Sequence, residues 1–216
     1  TKAGCNVADC HGAAAGRGGF HLSLWGLDPE ADYRAIVRQH EGRRVNLADP
    51  QRSLLLLKGG WQLDHGGEDA LSRVAEGEQR ILEWIRAGAP RGVRRQLKEL
   101  QVSPSGPTLL ELNQTVPITA IALFEDGSRE DVTAWTVFEP NDPTAVVLNS
   151  KAHTASVTRG GRHIVLARYM NQVIPLVFVS PLTNTPQQYG AGQQLNEIDR
   201  HIVATLRVLG LPASPP

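Results

Sequence analysis

The chemistry this chain could perform is concentrated in seven residues near its start, Cys5-Asn6-Val7-Ala8-Asp9-Cys10-His11. Cys5 and Cys10 are its only two cysteines. Two thiols followed directly by an imidazole are the parts needed for covalent haem attachment. Each thiol adds to a vinyl group, and the imidazole rises under the iron as proximal ligand. The usual spacing leaves about two residues between the cysteines; here there are four. The longer gap predicts a local bulge over residues 6–9 that keeps both thiols within reach of the vinyl groups. Two other readings compete. A disulfide between Cys5 and Cys10 leaves His11 without a role. A zinc site needs further Cys or His ligands at set spacings, and there is no other cysteine.

An iron held by His11 takes a second axial ligand on its far side, Met or His. The single methionine, Met170, lies far along the chain. The other histidines of the first segment are His21, His40 and His65. His21 is so close to His11 that opposing it requires a sharp reversal. His40 sits in a charged run, His40-Glu41-Gly42-Arg43-Arg44, and reads as exposed. His65 lies in Leu63-Asp64-His65-Gly66-Gly67, just ahead of a helix, where a small c-type domain presents its distal ligand. His65 is therefore the expected distal ligand, giving two imidazoles on one haem, with His21 and then Met170 as fallbacks.

The elements that must position these residues are short helices. Asp28-Pro29-Glu30 is a helix start, with a capping carboxylate, Pro at the first position and an acid near the positive end. The helix is predicted to run to about residue 39. Asp49-Pro50 repeats the signal and launches residues 51–58. A third helix spans residues 76–87, with Ile81, Leu82, Trp84 and Ile85 as its apolar stripe and Gly88 as its stop. Between the haem motif and the first helix, residues 12–19 are Gly, Ala and one Arg. Such a run lets backbone lie against a flat cofactor. It lacks the Gly-Lys-Ser/Thr ending of a phosphate loop. Residues 1–100 thus read as a small helical domain of class I cytochrome c type.

Beyond the Pro/Gly/Ser stretch 102–107, read as a linker, the pattern changes to period two. Seven strands are predicted, over 108–112, 116–124, 133–138, 145–148, 154–158, 163–169 and 173–179, with turn signals between them. That spacing predicts an immunoglobulin-like β-sandwich over residues 101–181. Its carboxylates at hairpin turns read as solvated rather than as a calcium site. Its exposed edges are candidate contacts for a cell-surface protein or a polysaccharide. Residues 182–216 read as a polar linker followed by an amphipathic helix over 196–209, with Ile198, Ile202, Leu206 and Leu209 in register. The fold class is therefore multidomain, α plus all-β.

Lys plus Arg and Asp plus Glu both number 22, so the formal net charge is zero. That argues against a general nucleic-acid binder, although Arg is locally dense around Arg43 and Arg44 and between Arg86 and Arg95. No apolar run is long enough to span a bilayer. The chain opens without Met and stops at Pro215-Pro216 beside a helix. Both ends are expected to be boundaries within a longer protein, with a leader before and a further portion after.

The segment from Ala3-Gly4-Cys5 through Cys10-His11-Gly12 to Gly18-Gly19-Phe20 resembles the amino-terminal region of large planctomycete-type secreted cytochromes. So do Arg44-Val45-Asn46-Leu47-Ala48-Asp49-Pro50, His65-Gly66-Gly67, Glu83-Trp84-Ile85-Arg86-Ala87-Gly88, Glu125-Asp126-Gly127-Ser128 and residues 199–216. In that family a Cys-x4-Cys-His haem domain precedes a bacterial immunoglobulin-like (group 2) domain and further large domains. The resemblance implies thioether bonds at Cys5 and Cys10, His11 as proximal ligand and the His65 loop on the distal side. It implies one covalent haem c and a periplasmic or secreted location. Electron transfer to a redox partner that the sequence does not identify is the expected role, within a larger protein or as the redox module of a larger enzyme. The alternative is a haem-based sensor or cell-surface binding module.

Overall fold

A computed structural model of the chain describes residues 1–67, 69–74, 76–93, 95–183, 185, 188, 189 and 196–213. Helices occupy its first part, antiparallel sheets its middle, and one helix follows the sheets.

The helical elements start where the sequence signals them and stop early. The Asp28 carboxylate accepts a hydrogen bond from the Ala31 amide at 3.0 Å and opens α1, Pro29–Tyr33. The ladder then widens into a π turn over Arg34–Arg38 and tightens into a 3-10 turn over Gln39–Gly42. Asp49-Pro50 opens only a 3-10 turn, Pro50–Arg52. The helix proper, α2, is Leu54–Gly59. The delay has a physical cause. Ser53 is extended and fully buried, and its hydroxyl accepts from the Asn46 amide. The third helix, α3, is Gly77–Arg86. Leu56, Leu71 and Ile85 make the core here, with Ala3, Val45, Ile81, Leu82 and Trp84 around it. Ala3 in that set ties the start of the chain to the helices.

Ten strands follow among the described residues, where the period-two pattern predicted seven: Leu97–Ser103 and Arg129–Asp131 fall outside the predicted set, and the strand expected over 116–124 is divided into two. They are β1 Leu97–Ser103, β2 Pro107–Leu109, β3 Thr115–Pro117, β4 Thr119–Phe124, β5 Arg129–Asp131, β6 Val137–Pro140, β7 Val146–Asn149, β8 Thr154–Val157, β9 Gly161–Tyr169 and β10 Gln172–Ser180. They form sheets ordered β1-β4-β5, β2-β10-β9-β6 and β3-β8-β7, and every pairing but β2 with β10 is antiparallel. The linker expected over 102–107 instead contains the end of β1 and the start of β2. Two strands escaped prediction because they are polar: β1 buries only Leu100, and β5 is exposed throughout. The predicted strand 133–138 is corrected at its start, where Thr133–Trp135 is a 3-10 turn. There the Thr136 amide and hydroxyl both return to the Val132 carbonyl at 2.9 Å.

Val146, Ala155 and Val157 of one sheet and Val165, Ala167, Leu176 and Phe178 of another share a single core. A second core joins Leu100, Ala120, Ala122 and Phe124 to Val132. The last helix, α4, is Glu197–Leu209, opened by a capping box between Asn196 and Asp199. It touches the end of the sheets through Leu182, whose amide donates to the Leu209 carbonyl at 2.9 Å. Val203 is its buried residue, whereas Ile198 and Ile202 of the expected stripe are exposed.

Two outcomes test this packing. Phe178 has no exposed surface, so Phe178→Ala should cost about 3–5 kcal/mol in urea unfolding. Asp126, Asp131 and Asp142 are held below the usual carboxylate range by hydrogen bonds from the hydroxyls and amides of Ser128, Thr133 and Thr144. Groups with lowered folded pKa stabilise fully above about pH 4, the ordinary Asp value, and lose that contribution as pH falls through the folded values. The thermal midpoint should therefore drop in mild acid, and less so in Asp131→Asn and Asp142→Asn.

Candidate functional site

The loop around the two cysteines is closed by its own backbone. The His11 amide donates to the Cys5 carbonyl at 3.0 Å, and the Cys10 and Gly12 amides donate to the Val7 carbonyl at 3.0 and 3.1 Å. The extra residues bulge outward at Ala8 and Asp9, which are exposed, while Asn6 is buried. The predicted bulge over 6–9 is thus confined to its second half. Asn6 turns inward, where its amide nitrogen donates to the Thr1 hydroxyl and its carbonyl accepts from the Trp25 amide. Both cysteines are free thiols. Burial, first among the causes, raises the Cys5 pKa.

The Gly/Ala run works in two ways. A methyl group at Gly12 would overlap the Asn6 carbonyl, and one at Gly16 the Phe20 carbonyl. These two glycines let the loop pack on itself. Gly18 and Gly19 have open space where a side chain would be and φ of 59° and 71°; they line the cavity described next.

That cavity, of about 330 Å³, is bounded by Cys5, Cys10, His11 and His65. Phe20, Leu22, Leu54 and Leu55 supply its apolar wall. Arg17, Arg43, Arg44 and Lys58 also line it, and no carboxylate among the described residues does. The rings of His11 and His65 have centres 5.8 Å apart and planes inclined by 23°.

The Nδ1 of His11 lies 3.0 Å from the Phe20 carbonyl. A carbonyl only accepts, so Nδ1 carries the hydrogen and Nε2 keeps the lone pair of the neutral ring. The Phe20 ring packs on the His11 imidazole at 4.7 Å. His65 is half-buried, and its Nδ1 has no hydrogen-bond partner. Its pKa is lowered, chiefly by burial and then by His11, Lys58 and Arg17. A methyl at Gly67 would press on the His65 ring at 3.0–3.1 Å, so Gly67 gives that ring its space.

The structure therefore brings Cys5, Cys10, His11 and His65 to one cavity. His21 is exposed and outside its lining, and Met170 sits in the β9–β10 turn against the second core. His40, set aside as exposed, is exposed and yet lines the cavity; it and Glu41 hold φ of 51° and 58°. Among the described residues no three His, Cys, Asp or Glu side chains converge as a bare-ion site requires. No helix there is long and apolar enough to cross a membrane.

Arg44 is the lining residue that sequence reasoning missed. The density of Arg at 43–44 was legible; the burial of Arg44 was not. Its Nη1 donates to the Ala35 carbonyl at 2.8 Å and its Nη2 to the Gly19 carbonyl at 3.1 Å, with the guanidinium 4.3 Å above the Phe20 ring. No protein-family model and no curated protein matches this chain.

Gly12→Ala must displace the Asn6–Val7 backbone, because the obstacle is a carbonyl rather than a flexible side chain. It is expected to lower the thermal midpoint by several degrees, a cost of about 1–3 kcal/mol, whereas Gly18→Ser should change it by less than half as much.

Proposed function

We propose that residues 1–100 form a c-type cytochrome module that carries one haem c on Cys5 and Cys10 and passes electrons in the periplasm or at the cell surface, as part of a larger protein. The observation that carries this is the convergence of two free thiols and two imidazoles on one apolar cavity. Two imidazoles bonded to opposite sides of one metal atom at about 2.0–2.1 Å each have ring centres on the order of 6 Å apart. His11 and His65 stand at 5.8 Å.

The residues fit the group in three further ways. His11 presents its Nε2 lone pair because Nδ1 is spent on Phe20, the arrangement that fixes the orientation of a metal-binding imidazole. Burial, then the neighbouring His11 and Lys58, lowers the pKa of His65 and so disfavours its protonated form. The thiols line the same cavity as the two imidazoles, which suits bonds to the edge of a macrocycle. Haem supplies a one-electron couple when bound. The protein's part is to hold both axial nitrogens, exclude water with Phe20, Leu22, Leu54 and Leu55, and keep the loop rigid. Two imidazoles leave no open coordination position, which favours electron transfer over gas sensing or catalysis, at a lower potential than His/Met ligation.

For the strands we infer an immunoglobulin-like sandwich. Sheets β2-β10-β9-β6 and β3-β8-β7 share one core, in keeping with that architecture. Thioether attachment takes place outside the cytoplasm, which is the basis of the proposed location.

Expression with the haem-attachment machinery should yield a protein whose haem survives acid-acetone extraction and gives a c-type pyridine haemochrome. A colourless product with unmodified thiols sinks the proposal. His65→Ala should convert a low-spin oxidised spectrum to high-spin; an unchanged spectrum removes His65 from the iron.

A further inference from the structure

Among the described residues, the cavity holds a buried cation with no facing carboxylate. Arg44 is 9% exposed and faces the cavity. Its two hydrogen bonds go to neutral backbone carbonyls, and no described carboxylate acts on it. The nearest charged influence is Arg43, of the same sign. A buried guanidinium is stable when paired with an anion and costly otherwise. Remaining N–H donors of its planar fork suit a carboxylate held by two parallel hydrogen bonds.

The surroundings repeat the request. Arg17, Arg43 and Lys58 stand on the same lining, where the described residues include no acid. Arg44 is also rigidly placed. Its own carbonyl accepts from the Leu55 amide at 3.0 Å, so side chain and backbone together join the Gly loop, the turn containing Ala35 and the start of α2. A cation fixed on three sides and buried behind an aromatic ring is built to hold a ligand in one orientation.

We infer that Arg44 is the counter-ion for a carboxylate of the ligand held between His11 and His65. Resting on the haem reading above, that carboxylate is a propionate of the macrocycle. Arg44 would then hold one propionate, and the exposed Arg17, Arg43 and Lys58 would be left for the second.

The test separates this inference from the haem reading. The full chain with Cys5→Ala and Cys10→Ala, which blocks covalent trapping, is titrated with iron protoporphyrin IX and with its dimethyl ester, and affinities are read from the absorbance change. The diacid is expected to bind on the order of ten- to a hundredfold more tightly than the ester, the range of one hydrogen-bonded charge pair. Arg44→Gln should abolish most of that preference, Arg44→Lys should restore part of it, and Arg52→Gln, at an exposed arginine outside the lining, should leave it unchanged. Equal affinity for diacid and ester overturns the role of Arg44, with no substitution at 44 needed, and leaves the haem reading intact. A preference that persists in Arg44→Gln also overturns it. Failure of both macrocycles to bind overturns the haem reading and this inference with it.

Discussion

The hydrogen bond from His11 Nδ1 to the Phe20 carbonyl is the constraint on which the site depends. It selects the tautomer that leaves Nε2 free and fixes the plane of the ring. It also requires that the chain double back within nine residues, and the Gly/Ala run exists to make that turn. The Leu22 amide donates to the His11 carbonyl at 2.8 Å, and the Arg17 amide and Phe20 carbonyl close the turn between them. Gly16 allows the approach and Arg44 covers it from the other side. Each bond contributes only about 0.5–1.5 kcal/mol net. The precision of the site comes from their number in a loop where backbone carbonyls leave no room for a side chain at Gly12 or Gly16.

The helical part is held by few buried residues. Its core is Leu56, Leu71 and Ile85 with partly buried neighbours, and its α-helices span five, six and ten residues. Helices this short are unstable alone and need packing. Contacts with the strands supply some of it. The Lys2 ammonium donates to the Thr136 carbonyl, Arg80 lies 4.6 Å over the Trp135 ring, and Arg168 lies 4.3 Å over Trp25. Lys2 and Trp25 both flank the cysteine loop, Trp25 through its amide bond to Asn6. The strands thus buttress the back of the loop whose front faces the cavity.

Much of this plan is local, and local features are legible in a sequence. Asp28-Pro29, Asn196 and Gly210 mark helix ends because capping depends on residues within one turn. Strands β4, β8, β9 and β10 announce themselves because their buried faces repeat every second residue. The pairing of Cys5, Cys10 and His11 is legible because the three lie on one short loop. Strands β1 and β5 are not legible: they are polar partners of β4, and their conformation is imposed by its unsatisfied backbone rather than by their own side chains.

The sequence alone determined which groups are available: two thiols, a following imidazole, a second imidazole between Asp64 and two glycines, and the elements that carry them. Why glycine must stand at residues 12 and 16 came from the structure, where the carbonyls of Asn6 and Phe20 occupy the space a side chain needs. Only the tertiary structure decided that His65, and not His21 or Met170, shares a cavity with His11, because that distance spans 54 residues of chain and depends on how α2 and α3 pack through Leu71. It alone buried Arg44 while leaving Arg43 exposed, a difference between adjacent like residues that follows from which carbonyls, those of Ala35 and Gly19, the fold places within reach.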